Sequence, residues 1–144
     1  MPAPVTSLSD FFPTYLARLE AGDTEALGLL YAENAVLTSV GGPQGDEWCV
    51  GRDQIVASLA AALKRFTIVT ETPPTSAYEL RGNTLAARFG TFSSTAEPKA
   101  GGPSLHLTVD AIEVLALSPT DGWRYLADQS RVTSITTLPA ASSS

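Results

Sequence analysis

Residues 16–37, LARLEAGDTEALGLLYAENAVL, decide between a helical and a mixed fold. Around their start, Phe12, Tyr15, Leu16 and Leu19 recur at i, i+3, i+4 and i+7, one face of a helix. Pro13 falls in its first turn, where a missing N–H costs little. Ser7 to Asp10 offer capping residues ahead of it. Gly22 can end that helix in the left-handed conformation, and Asp23 can cap the next. Leu27, Leu30 and Tyr31 form the buried side of a second short helix. Gly-Asp is thus a stop followed by a start, and the two helices pack at an angle.

Downstream the pattern turns to strands. Ala35 to Val40 reads as a first strand, GGPQGDEW as a loop, and Trp48 to Val50 as a short return strand. Gly51 precedes a third helix, Arg52 to Arg65, with Ile55, Leu59, Leu63 and Phe66 on one side. Four strand-like runs follow. They are Thr67 to Glu71 continuing past Pro73-Pro74 to Leu80, Thr84 to Thr95, Leu105 to Leu117, and Trp123 to Ser134. RGN, EPKAGGP and SPTDG separate them with good turn chemistry. Helices early and hairpins late read as α+β: a curved antiparallel sheet wrapped around three N-terminal helices, with a cavity between. Residues 1–134 are expected to form one domain, and 135–144 a disordered tail.

Composition limits what such a domain does. The chain has 144 residues, 44% of them hydrophobic and 17% charged, enough for a core without disulfides. The net charge is −6 and no Lys/Arg run is visible, which argues against nucleic acid. The single cysteine, Cys49, has no basic helper at fixed spacing and reads as an inert thiol. One histidine and no CxxC pair argue against a metal, and no cofactor is expected. The start, MPAPVTSLSDFF, lacks the form of a signal peptide, and no apolar run reaches membrane length. A cytoplasmic protein away from membranes is expected.

The segments YLARLEAGDTEALGLLYAENAVL (15–37), VGRDQI (50–55) and DGWRYLADQS (121–130) together resemble the NTF2-like superfamily. Within it the chain is similar to the SnoaL-like and ketosteroid-isomerase-like groups, and above all to SgcJ/EcaC-type proteins of enediyne and other polyketide pathways. The resemblance implies a cone-shaped NTF2-like (cystatin-like) fold, a homodimer and a mostly apolar pocket. It also implies site residues. The helix-one tyrosine falls on Tyr15 and the strand acid on Asp110, a pair able to hold a carbonyl or enol oxygen if Asp110 is protonated by burial. The family's base position falls on Ser39. A serine is no general base near neutral pH without a partner, so the familiar steroid isomerisation is not expected.

Further candidates carry alternatives. Tyr15 fits a ligand contact and a core tyrosine equally. Asp110 fits a pocket role or an ion pair with Arg88. His106 shares strand parity with Asp110 and reads as a residue of the pocket mouth or of the surface. Trp123, Tyr125 and Gln129 share parity on the last strand, and relatives turn that face inward. Trp48 fits a ligand-stacking residue or an apolar lid. Arg88, Asp110 and Asp128 supply the residue types of limonene-type epoxide hydrolases without their spacing. Leu105, Leu107, Val109 and Ala111 make one sheet face apolar while the other also carries apolar residues, so a second subunit is expected to cover the sheet. The function expected is a pocket protein of antibiotic biosynthesis. It binds or transforms a small hydrophobic or aromatic polyketide or enediyne intermediate by cofactor-free isomerase or cyclase chemistry. The alternative is a non-catalytic carrier or dimerisation module.

Overall fold

The structure is a computed structural model and describes residues 2–72 and 78–139. A 3₁₀ turn, Leu8–Asp10, leads into α1, Phe11–Glu20. None of the side chains before α1 caps it, whereas Asp23 accepts from Ala26 N–H at 3.0 Å and caps α2, Thr24–Gly28. Gly22 ends α1 at φ 69°, a conformation that costs glycine no Cβ clash. Helix two is shorter than expected. It stops at Gly28, whose missing side chain lets Val56 of the third helix approach: a Cβ there would lie 2.6 Å from Val56 Cγ2. Tyr31 opens the first strand instead of closing the helix. Strands β1 (Tyr31–Val40) and β2 (Glu47–Val50) form a hairpin, and α3 (Arg52–Arg65) follows.

Strands β3 (Phe66–Thr72), β4 (Glu79–Arg81), β5 (Leu85–Pro98), β6 (Ser104–Ser118) and β7 (Gly122–Leu138) complete the sheet. The expected passage through Pro73-Pro74 lies outside the described residues. The seven-stranded sheet runs β2-β1-β7-β6-β5-β3, with β4 also on β5. Every pairing is antiparallel except β1 with β7. Pairing carries β7 to Leu138, past the Ser134 boundary expected for the domain; residues 140–144 lie outside the described residues. This is the α+β architecture expected, a curved sheet with its helices on one face.

On β6 the odd positions Leu107, Val109, Ala111, Glu113 and Leu115 are buried, while Ile112 between them is half exposed. The odd set therefore faces the helices, the reverse of the facing that a pocket role for Asp110 requires. The main core joins Phe11, Leu30, Tyr31, Leu37, Ile55, Leu115 and Tyr125. Burial of each such side chain contributes about 1.5–3 kcal/mol.

Candidate active site

Cross-strand register sets the inner face in rows. One row of successive partners runs Cys49, Leu37, Asp128, Glu113, Arg88 across β2-β1-β7-β6-β5. The next runs Glu47, Ser39, Ser130, Ala111, Gly90. Its central members are small, so the space above them stays open beneath α1 and α3. The result is a cavity of about 220 Å³, roofed by Phe12, Tyr15, Ser58 and Leu59 and floored by both rows except Cys49 and Gly90 at their ends. For comparison, a cavity of about 150 Å³ holds benzene. There is room for a one- or two-ring ligand, or for the reacting end of a larger one.

Two carboxylates stand side by side on this floor, yet their surroundings differ. Glu113 is 2% exposed and fully committed. Arg88 Nε and Nη2 both reach Oε2, and the hydroxyls of Tyr125 and Tyr78 donate to Oε1. The Arg88 guanidinium is itself clamped, 4.3 Å from the centre of the Phe12 ring and 4.8 Å from that of Tyr78. Burial pushes the Glu113 carboxyl up and the Arg88 charge pulls it back. Such a pair neutralises itself and leaves little polarity for a ligand.

Asp128 is different. Among the described residues its one hydrogen-bond partner is Tyr31, whose hydroxyl donates to Oδ2 at 2.7 Å. The other oxygen is left to the cavity, which Asp128 lines. Burial, then the neighbouring Glu113 charge, push its carboxyl up to about 7. Like charges directly opposite on adjacent strands repel, and the one that lacks an arginine holds its proton longer. Tyr15 lines the cavity with its hydroxyl 3.3 Å from that of Tyr31. Burial and the Asp128 charge push Tyr15 well above the usual phenol range, so it stays protonated. A carboxyl poised near neutrality beside a phenol, in a largely apolar hollow, can take a proton from a ligand and return it elsewhere.

The structure brings Tyr15, Ser39, Arg88 and Tyr125 together at the cavity. It places the other candidates elsewhere. Asp110 is on the outer face, its side chain 26% exposed, where Thr91 donates to it at 2.8 Å and Arg131 pairs with it at 3.4 Å. Arg88 pairs with Glu113 instead. His106 shares the outward parity of Asp110, opposite Thr95 and Thr136. Gln129 is exposed on the outer face because a bulge at Leu126 intervenes: Tyr125 pairs with Leu115, but Ala127 pairs with Val114. That extra residue reverses facing, turning Asp128 in and Gln129 out. Trp48 also points out, 76% exposed, and its neighbour Glu47 lines the cavity, accepting from Ser58 at 2.7 Å. Trp123 is buried but lines a separate hollow with Val5 and Arg124.

Glu113, Tyr31 and Glu47 escape a reading by family position. A signal for Glu113 exists all the same. It is the one charged residue in the apolar alternation Leu105, Leu107, Val109, Ala111, Leu115, Leu117.

No family model matches the chain, and no curated protein matches it. Solved structures do match. A protein of Novosphingobium aromaticivorans provisionally named a scytalone dehydratase superposes with a TM-score of 0.77 at 14% identity, over 94% of this chain and 92% of that one. A ketosteroid isomerase-like protein of Erwinia carotovora atroseptica gives 0.71 at 17% identity, over 88% and 94%. An NTF2-like protein with a cystatin-like fold, also from N. aromaticivorans, gives 0.64 at 19% identity, over 86% and 78%. The chain thus has the NTF2-like, cystatin-like fold. At these identities the likeness is one of fold, and chemistry has to be argued from the cavity.

Proposed function

We propose that the chain is a cytoplasmic enzyme of secondary metabolism that moves a proton on a carbonyl-bearing small molecule without a cofactor. Asp128 is the base and Tyr15 the hydrogen-bonding hydroxyl. One observation carries this reading: a cavity-lining carboxylate, pushed up to about 7, with an oxygen left open beside a protonated phenol. Asp128 removes a proton from the carbon next to the carbonyl, and the electron pair moves onto oxygen as an enolate. The same proton returns at another carbon, which gives isomerisation, or the enolate carbon attacks a second carbonyl and the alkoxide so formed takes the proton back from Asp128, which gives cyclisation. The sequence resemblance to SgcJ/EcaC-type proteins supports a polyketide or enediyne intermediate as the ligand.

A carrier without catalysis is the second reading. It is favoured by the mutual neutralisation of Arg88 and Glu113, which leaves few groups to do chemistry. An uncharged cyclic β,γ-unsaturated ketone separates the two, since its conjugated product absorbs at longer wavelength. Tyr15→Phe should lower turnover roughly 10- to 100-fold with binding retained. Ala111→Leu, which fills the hollow, should abolish both. A wild type that binds the ketone and never converts it is a carrier. A wild-type response from Ala111→Leu means the cavity is not the site.

The outer face supports a homodimer through the sheet. Trp48, Thr38, Gln129, Ile112 and Phe89 are successive cross-strand partners. Trp48 is 76% exposed, Phe89 65% and Ile112 50%. Its apolar ends, Trp48 on one side of Thr38 and Gln129 and the Ile112–Phe89 pair on the other, are costly to leave in water. The adjoining Asp110–Arg131 pair makes the surface self-complementary in charge, which suits a second copy across a two-fold axis. Sedimentation at micromolar concentration should give a dimer, and Phe89→Glu a monomer. A monomeric wild type would sink the assignment.

A further inference from the structure

Tyr31 has no exposed surface, yet its hydroxyl stands between two cavity groups. It donates to Asp128 Oδ2 at 2.7 Å and lies 3.3 Å from the Tyr15 hydroxyl. A phenol carries a single proton. While Asp128 is ionised, that proton is committed to the carboxylate, so Tyr31 accepts from Tyr15. The Tyr15 proton then points away from the cavity, and a ligand meets only its lone pairs. Once Asp128 takes a proton on its cavity-facing oxygen, a half-turn of the carboxyl about Cβ–Cγ presents that O–H to Tyr31 and the direction can reverse: Asp128 donates to Tyr31, Tyr31 to Tyr15, and Tyr15 into the cavity. One carboxyl half-turn and two hydroxyl rotations suffice, and the backbone does not move.

We propose that Tyr31 is a positioning residue that couples base to donor: the proton Asp128 takes from a ligand turns Tyr15 from acceptor into donor. This rests on the reading of Asp128 as the base. The reaction balances simply. A C–H bond breaks, an O–H bond forms on Asp128, and the electron pair becomes charge on the ligand oxygen. Once the chain has turned, Tyr15 donates to that oxygen. A donor absent from the resting complex and present once charge has developed stabilises the enolate over the bound ground state, and it lowers the barrier so far as the transition state resembles the enolate. Tyr31 never touches the ligand, and its contribution is to set the direction of a neighbour's proton.

The groups facing Asp128 decide where the reversal occurs. Glu113 on β6 stands beside it, with Arg88 of β5 behind. Tyr31 of β1 and Tyr15 of α1 complete the chain of hydroxyls, Tyr125 lies on its own strand, and Tyr78 sits across Glu113. Glu47 of β2 lines the same cavity. Since Arg88 holds Glu113 as its partner, Asp128 is the carboxyl free to change state near neutrality.

The test needs no ligand. Tyrosines labelled with ¹³C at the hydroxyl-bearing carbon are followed by NMR in the full chain, from about pH 5 to about pH 9, a range spanning the Asp128 transition. In the wild type the Tyr15 resonance should follow the Asp128 carboxyl. In Tyr31→Phe it should stop doing so while Asp128 still titrates. In Asp128→Asn, a variant that keeps the site's shape if Tyr31→Phe folds poorly, Tyr15 should stay constant. A Tyr15 that is silent in the wild type, or unchanged in its response in Tyr31→Phe, overturns the coupling. With the ketone, Tyr31→Phe should lower kcat roughly 10-fold and leave KM near its wild-type value, less than full loss of an oxyanion donor. A chain that shows the coupled titration but no turnover keeps the relay and loses the enzyme; turnover without the coupling does the reverse.

Discussion

Asp128→Asn should lower turnover of the unsaturated ketone by roughly 10²- to 10⁴-fold, the range that general acid–base groups supply. Wild-type activity should climb with pH through about 7 and then level off, because the base works only when ionised and its carboxyl is pushed up to about 7. The same substitution should stabilise the fold at alkaline pH. In the unfolded chain Asp128 titrates near the ordinary 3.8, so between there and about 7 the folded state binds the extra proton. Stability from this group is therefore present below the unfolded value and lost as pH rises through the folded one. Asn has no proton to lose and keeps an oxygen for Tyr31. At about pH 8 the variant should exceed the wild type by about 1–3 kcal/mol, after allowance for the part of Asp128 that faces the cavity. Thermal melts should show the gap closing toward about pH 4. Equal melting curves at both ends of the range would falsify the assignment of Asp128 as the raised acid. Asp110→Asn, on the outer face, should alter neither turnover nor this pH dependence.

Why the sequence points to Asp110 while Asp128 lines the cavity is a matter of parity. The helices were legible because stop and start chemistry sits in adjacent residues: Gly22 ends α1 at positive φ and the Asp23 carboxylate takes the Ala26 N–H. The α+β architecture was legible for the same local reasons, from turn residues spaced between alternating runs. Facing is not local. On β6 the even set carries Ile112, Val114 and Ala116 beside Asp110, so a family position assigned to Asp110 turns that set inward although the odd set is the more uniformly apolar. On β7 the bulge at Leu126 has no glycine or proline to announce it. Counting from Trp123 in steps of two reaches Gln129, while the chain turns Asp128 inward. Tyr31 escaped for a third reason. Its apolar company continues a helical period, although Gly28 has already ended the helix. Carboxylates become visible once they are asked to interrupt an apolar parity, as Glu113 does.

Arg88→Met should be the most destabilising substitution in the site, costing about 3–5 kcal/mol near neutral pH, as expected when one partner of a buried ion pair is removed. It leaves Glu113 charged among aromatic rings, with two phenol donors and no cation, beside a second carboxylate. It also removes the guanidinium from between the rings of Phe12 and Tyr78. The sign with pH follows from what Arg88 does now. It holds the raised Glu113 carboxyl down, so without it that carboxyl rises further. The loss should therefore deepen as pH rises and shrink in acid, where Glu113 takes a proton in the folded state. Pairing the change with Glu113→Gln removes the orphaned charge and keeps an oxygen for the tyrosine hydroxyls. The double variant should recover most of the stability, giving a coupling of about 2 kcal/mol or more in a cycle of denaturant melts. Catalysis should respond through Asp128, which Glu113 pushes up and Arg88 pulls down. In Arg88→Met the midpoint of the activity profile should move to higher pH. In the double variant it should fall below the wild-type midpoint, since the charge that raises it is gone. A cost under about 1 kcal/mol for Arg88→Met, with no dependence on pH, would mean that Glu113 is already neutral in the folded protein. The raised Asp128 carboxyl would then rest on burial alone.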